Sequence, residues 1–235
     1  MTDFVVVIPA RYASTRLPGK PLRDINGKPM LQHVYERGVE SGAGDVIIAT
    51  DDQRIADAAE GFGATVCMTR DDHQSGTDRI AEVGDIFDWD DSQIVVNLQG
   101  DEPAMPAALL LQCAALLDDP QADIATLASP LASESDRGNP NVVKAILDDQ
   151  GYALYFTRAA VPVALHHHGI YAYRCGVLRR IVAAQQSKLE IAERLEQLRA
   201  LSMGMRIRVG IPDVRPGAGV DTEEDLQAAA LELRK

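Results

Sequence analysis

Phe4-Val5-Val6-Val7-Ile8-Pro9-Ala10-Arg11-Tyr12-Ala13-Ser14-Thr15-Arg16-Leu17-Pro18-Gly19-Lys20-Pro21-Leu22 is the stretch on which the fold turns. Its first five residues, Phe4 to Ile8, are apolar without alternation, the pattern of a strand buried on both faces of a parallel sheet. Behind that strand come Arg11, Arg16 and Lys20, interleaved with small residues and Gly19. Open α/β sheets bind ligands just outside the carboxyl ends of their strands, which is where this segment falls. Small residues let backbone N–H groups approach phosphate oxygens, and Arg and Lys neutralise the phosphate charge. The plainer alternative is a solvated loop with ordinary surface cations. Neither G-x-x-x-x-G-K-[ST] nor G-x-G-x-x-G is present. Gly61-Phe62-Gly63 lies between a helix and a strand, the wrong context for a dinucleotide fingerprint.

Outward from this stretch the chain alternates. Met30, Val34 and Val39 predict a helix over 30–40, followed by a buried strand over 45–49. Thr50-Asp51-Asp52 offers caps for a helix through Ile55 and Ala59. A strand over 65–68, a helix over 75–87, a strand over 93–98 and a helix from Pro106 to Leu117 complete the first half. This β-α-β-α order predicts a layered α/β sheet with right-handed crossovers. The second half is richer in strands, over 124–130, 142–147, 153–157 and 169–173. Asp148-Asp149-Gln150-Gly151 predicts a hairpin between the middle two. Helices over 175–184 and 190–201, a strand over 206–211 and a helix over 222–233 capped by Thr222 close the chain. With no linker, repeat or low-complexity tract, the reading is one domain, 1–235, carrying an inserted β-rich subregion.

The 235 residues carry 23 Lys and Arg against 35 Asp and Glu, a net charge of −12. Such a surface argues against nucleic acid as a partner and against a polybasic membrane patch, but leaves room for a cationic pocket. No apolar run is long enough to span a bilayer, and Phe4–Pro9 is too short for a signal peptide. A cytoplasmic protein without stable membrane insertion is expected. Cys67, Cys113 and Cys175 stand at no metal or redox spacing and read as buried thiols. Val95-Val96-Asn97-Leu98-Gln99-Gly100-Asp101-Glu102-Pro103 is a second strand that delivers carboxylates at its end. Asp101 is placed to hold a divalent metal against phosphates, or else to serve as the acid of a helix N-terminus.

Pro9 to Leu22, Met68-Thr69-Arg70 with His73 and Ser75 to Arg79, and Asn97 to Pro103 resemble the 3-deoxy-manno-octulosonate cytidylyltransferase family, the CMP-Kdo synthetases. The resemblance continues through Asn139-Pro140-Asn141-Val142-Val143-Lys144, Tyr152 to Phe156, Gly169 to Arg174, Leu195 to Arg199 and Gly219 to Thr222, so it covers nearly the whole chain in order. It implies a layered Rossmann-like nucleotidyltransferase sheet whose β-rich insertion serves dimerisation and sugar binding. The implied reaction is CTP + Kdo → CMP-Kdo + pyrophosphate, which activates the sugar acid for lipopolysaccharide inner-core synthesis. Arg11 and Lys20 would contact the triphosphate, Ala10 and Ser14 would line the nucleotide, and Gln99 and the loop from Ser75 to Arg79 would add nucleotide contacts, with Ser75 alternatively only an N-cap. Asp101 and Asp221 would hold Mg²⁺, with Asp221 alternatively a capping residue. His167, Tyr171, Glu196 and Gln197 would hold the sugar acid, and the protein would be a homodimer.

His166, His167 and His168 do not read as a metal cluster, because 166 and 168 face opposite to 167 on a strand. Leu195, Leu198 and Leu201 share a helical face and read as core or interface. Competing readings are a cytidylyltransferase for another sugar acid, the 8-amino analogue or neuraminic acid, and a nucleotide-binding regulatory protein without catalysis. One departure stands out. After Pro162 the family continues with an aromatic residue, an arginine and a longer loop, whereas here only Val163-Ala164-Leu165-His166 precede His167. Either the loop is genuinely deleted or it has dropped out of the chain; the second is expected, and with it a break between Pro162 and His167, where a continuous chain could span at most about 16–18 Å.

Overall fold

Burial along β1 (Phe4–Ala10) alternates between two cores: Phe4, Val6, Ile8 and Ala10 face one, Val5 and Val7 the other. The computed structural model, which describes residues 2–13 and 16–234, builds a mixed α/β architecture on that strand. Next come a small antiparallel pair, β2 (Asp24–Ile25) and β3 (Lys28–Pro29), then α1 (Met30–Glu40), β4 (Asp45–Thr50), α2 (Gln53–Gly61) and β5 (Thr65–Met68). The chain continues through α3 (Gly76–Ile86), β6 (Ile94–Asn97), α4 (Ala107–Ala115) and β7 (Ile124–Pro130). After α5 (Glu134–Gly138) come β8 (Lys144–Leu147), β9 (Ala153–Thr157) and β10 (Leu165–Arg174). The last elements are α6 (Cys175–Ala183), α7 (Lys188–Glu193), α8 (Gln197–Ser202), β11 (Ile207–Gly210) and α9 (Glu223–Glu232).

The sheet runs in the order β11-β7-β10-β6-β1-β4-β5, with β8 pairing β10 and β9 pairing β8. Pairs β6–β1, β1–β4, β4–β5 and β11–β7 are parallel, while β10 lies antiparallel to β6, β7 and β8. Helices α1, α2 and α4 cover one face, and α3, α6 and α8 the other. Burial on both faces is why the parallel strands read as unbroken apolar runs, each fully buried Val, Ile or Leu contributing about 1.5–3 kcal/mol. A third cluster of Leu17, Ile25, Met30, Val220, Leu226 and Ala229 packs α9 against the loop that follows β1. Asp52 caps α2 through the Arg54 amide, and β8 and β9 pair as the expected hairpin. Cys67, Cys113 and Cys175 are all buried free thiols. Ser75, Ser133, Ser187 and Thr222 each form a capping box with the acid three residues on.

Several expectations are corrected. The helix expected over 190–201 is two helices, because Arg194 turns into the left-handed region at φ 55° and stops α7. β10 begins at Leu165 rather than 169, so the histidine run lies within a strand, and a bulge separates His168 from Tyr171. β8 starts at Lys144 rather than 142. The chain passes without a break from Pro162 through Val163 and Ala164 into β10, so the expected interruption is not there and the crossover is short. The Arg137 guanidinium fixes it by donating to the Val161 carbonyl at 2.8 Å and to the Pro162 carbonyl.

The α7–α8 arm is fastened by a buried ion pair. Arg199 donates to both Glu190 oxygens, at 2.9 and 2.6 Å, and to the Ile181 carbonyl at 3.2 Å. Burial opposes the charge on Glu190, but the Arg199 hydrogen bond, the Ser187 amide and the nearby guanidinium outweigh it and lower its pKa. Removing one partner strands the other charge, so Arg199→Ala is expected to cost about 3–5 kcal/mol in urea unfolding at neutral pH. Because the folded-state pKa of Glu190 is depressed, this contribution is present above the ordinary carboxylate range and fades as pH falls through it. The wild-type–variant difference should therefore shrink in acid.

Candidate active site

β1 and β6 are parallel neighbours, with Val7 opposite Asn97, so both release their following loops at one edge of the sheet. The loops touch at Gly100, where a β-carbon would stand 2.9 Å from the Pro9 carbonyl; only glycine allows that approach. Between them lies a cavity of about 360 Å³ whose lining includes Ala10, Arg11, Arg16, Lys20, Gln99 and Asp101. Gly76, at the start of α3, closes one side. Gln99 is braced by a 3.4 Å hydrogen bond from its amide to Asn97 Oδ1.

Lys20 organises the cavity. Its Nζ donates to Asp101 Oδ2 at 2.7 Å, to Asp221 Oδ1 at 3.1 Å and to the Val220 carbonyl at 3.0 Å. Burial works against the ammonium, but Asp101 and Asp221 outweigh it and raise the Lys20 pKa. Arg16 adds an exposed ion pair to Asp221 at 2.9 Å. The Val220 amide donates to the Asp101 carbonyl at 2.8 Å, so the approach to α9 is stitched to the end of β6. The two carboxylates that the sequence proposes as metal ligands thus meet on one cation. Among the described residues no group of three or more His, Cys, Asp or Glu side chains could hold a metal alone. Two carboxylates beside a cationic cavity nevertheless fit Mg²⁺, which takes one or two carboxylates and completes its shell with waters and substrate phosphates.

Ser14 lies outside the described residues. Ser75 does not line this cavity: its hydroxyl accepts from the Asp78 amide at 3.1 Å and caps α3. The four residues proposed for the sugar divide between two spaces. His167 borders a cavity of about 750 Å³ together with His166, His168, Glu102 and Arg215. Tyr171, Glu196 and Gln197 line a smaller one of about 110 Å³ with Thr77. The His167 and Tyr171 rings, 5.3 Å apart, connect the two. His166 and His168 sit with ring centroids 4.8 Å apart, and His168 shares a 2.9 Å hydrogen bond with the Ser129 hydroxyl.

Electrostatics separates these groups. Burial, reinforced by His168 and His166, lowers His167 to about 3, so near neutral pH it is an uncharged imidazole bonded to the Thr126 hydroxyl at 3.0 Å. Burial raises Glu196 despite its bonds to hydroxyls; Thr77 donates to Oε2 at 2.9 Å, while Oε1 is shielded and unpartnered.

Two environments escape sequence reasoning, that of Glu102 and the burial of Arg79, a residue of the segment proposed for nucleotide contact. Glu102 is pushed up to about 8 by burial and by the charge of Asp101, with Oε2 shielded and unpartnered. Nothing in a run of adjacent acids distinguishes it from its neighbour. Arg79 is 1% exposed and paired to Asp51 at 3.0 Å. Its spacing of four from buried Val83 on α3 was the available signal.

Residues 5–207 match the model of the cytidylyltransferase family. The chain is 42% identical to CMP:2-keto-3-deoxy-manno-octonic acid synthetase complexed with CTP, over 99% of this chain and 98% of that one, with a TM-score of 0.92. The fold also matches 4-diphosphocytidyl-2C-methyl-D-erythritol synthase of Anaerococcus prevotii at a TM-score of 0.66 and 14% identity, covering 100% of both chains. A cytidylyltransferase of Leptospira borgpetersenii serovar Hardjo-bovis matches at 0.65 and 16%, over 98% of this chain and 85% of that one. The similarity spans both the loops that form the Lys20 site and the sheet that carries them, and the chain belongs to the cytidylyltransferase family.

Proposed function

We propose that this protein transfers CMP from CTP to the anomeric hydroxyl of 3-deoxy-D-manno-octulosonate, releasing pyrophosphate and CMP-Kdo for lipopolysaccharide inner-core synthesis. The observation that carries the reading is Lys20 Nζ seated on Asp101 and Asp221 at the mouth of a cationic cavity, in a chain 42% identical to a CTP-complexed synthetase for this sugar acid. The sugar oxygen bonds to the α-phosphorus as the α–β phosphoanhydride bond breaks, so catalysis rests on alignment and charge neutralisation. Arg11 and Lys20, with Arg16 beside them, neutralise the triphosphate, while Ala10 and Gln99 line the nucleotide. Asp101 and Asp221 would hold Mg²⁺, which would supply charge neutralisation to the phosphates and acidify the attacking hydroxyl. Glu196, Gln197 and Tyr171 supply fixed donors and acceptors for a hydroxyl-rich acid, and neutral His167 orients it.

The same reading includes a cytoplasmic homodimer. Leu154, 61% exposed, and Val163, 81% exposed, leave apolar surface on the β8–β10 region for a second copy. Among the described residues no helix is long and apolar enough to cross a membrane.

Pyrophosphate release from CTP and Mg²⁺ should require Kdo; equal turnover with neuraminic acid or the 8-amino analogue would replace the substrate assignment. Asp101→Asn should melt like wild type, because its side chain bonds only to Lys20 among the described residues, yet lose about a hundredfold or more in kcat. Near-normal turnover at saturating Mg²⁺ would remove Asp101 from the metal site. His167→Asn should raise the KM for Kdo without moving the acid limb of the pH–rate profile, since the imidazole is already neutral there. A shifted limb would show that His167 titrates during turnover.

A further inference from the structure

We propose that Tyr12 is a positioning residue: its ring, gripped between Gly19 and the Arg54 guanidinium, closes the base of the loop after β1 and sets the spacing of the two phosphate-facing cations. Tyr12 follows Arg11 and Gly19 precedes Lys20, so the clamp joins the two limbs of the loop one residue from each cation. A β-carbon on Gly19 would stand 3.2 Å from Tyr12 Oη and 3.3 Å from Cζ; the ring lies on bare backbone, at a residue whose φ of +64° already favours glycine. On the ring's other contact, Arg54 Cζ is 3.3 Å from its centroid.

That guanidinium is itself held. Its Nε and one terminal nitrogen donate to the two oxygens of Asp52, at 2.9 and 2.5 Å, while Asp52 accepts the Arg54 amide as the cap of α2. Past Gly19, the Lys20 amide donates to the Leu17 carbonyl at 3.1 Å and the Leu22 amide to the Gly19 carbonyl at 2.9 Å, so Lys20 rides on a closed turn. Rigid connections therefore run from the start of α2 through Arg54 and Tyr12 to Gly19 and Lys20. Without the ring, Arg11 and Lys20 would lose their direct tie and keep only the longer route through Asp101 and the β6–β1 pairing, and each would surrender extra freedom when a triphosphate binds.

The inference rests on CTP being the nucleotide, and its test is read both with and without turnover. Tyr12→Ala should raise the KM for CTP about tenfold with a smaller change in kcat, because a misplaced cation weakens ground-state and transition-state binding alike. Tyr12→Phe, which keeps the ring, should stay within twofold of wild type. Arg54→Met, an exposed change that spares the core, should move KM in the same direction by about threefold. In the absence of nucleotide, trypsin should cleave after exposed Arg16 several-fold faster in Tyr12→Ala than in wild type or Tyr12→Phe, with the cut identified by intact mass. An unchanged KM in Tyr12→Ala, an unchanged cleavage rate, or a Phe variant as impaired as the Ala variant would each overturn the clamp. Absence of CTP turnover in wild type would sink the proposed function instead, and the cleavage comparison would still decide the clamp.

Discussion

Lys20 Nζ donates to Asp101, to Asp221 and to the Val220 carbonyl, and through those bonds ties together partners 81, 201 and 200 positions away in sequence. The rest of this edge of the sheet depends on that ammonium. Parallel pairing of β1 with β6 brings Asp101 within its reach, and the packing of Val220 and Leu226 beside Leu17 and Met30 brings Asp221. Two carboxylates held this close repel one another unless a cation lies between them. The 2.7 Å contact to Asp101 fits the same constraint, since a charge-assisted hydrogen bond to an ionised carboxylate is tighter than one between neutral groups. Core packing decides where the chain ends arrive, and one cation makes their meeting favourable.

Much of this was legible in the sequence because burial leaves a plain trace. The apolar runs at Phe4–Ile8, Asp45–Ala49 and Gln93–Leu98 each mark a strand of the parallel centre, and Thr222 marks the start of α9. The cations and carboxylates that converge were also visible, since each follows such a strand or precedes a capped helix. What stayed hidden depended on tertiary context. Arg194 in the left-handed conformation splits a stretch whose Leu195, Leu198 and Leu201 spacing reads as one helix. The histidine run joins β10 because Leu165 and His166 find partners in both β7 and β8, a pairing that no local pattern announces. The raised pKa of Glu102 and the burial of Arg79 are set by what packs around them.

The division of the proposed sugar residues has a similar origin. Along β10 the odd-numbered His167 and Tyr171 face the core that also holds Phe156 and Tyr173, while His166 and His168 share the opposite side. Glu196 arrives from the start of α8, and its place depends on Arg199 in the following turn gripping Glu190 and the end of α6. The buried ion pair of the arm is thus a support for the cavity below it, although neither partner lines that cavity.

The capping boxes on α3 and α9 carry a consequence for how anions are attracted. At α3 the amides of Ser75 and Asp78 are spent on Asp78 and Ser75, and at α9 those of Asp221, Thr222 and Asp225 are spent on Asp225 and Thr222. In each box the acid takes the amide of the cap residue and the hydroxyl takes the amide three residues on, so fewer amides of these helix starts remain for a phosphate. In a protein of net charge −12, the cavity at this edge draws its positive charge from the side chains of Arg11, Arg16 and Lys20. Charges on exposed side chains such as Arg11 and Arg16 are screened by mobile ions. The positive field at this edge therefore weakens as ionic strength rises.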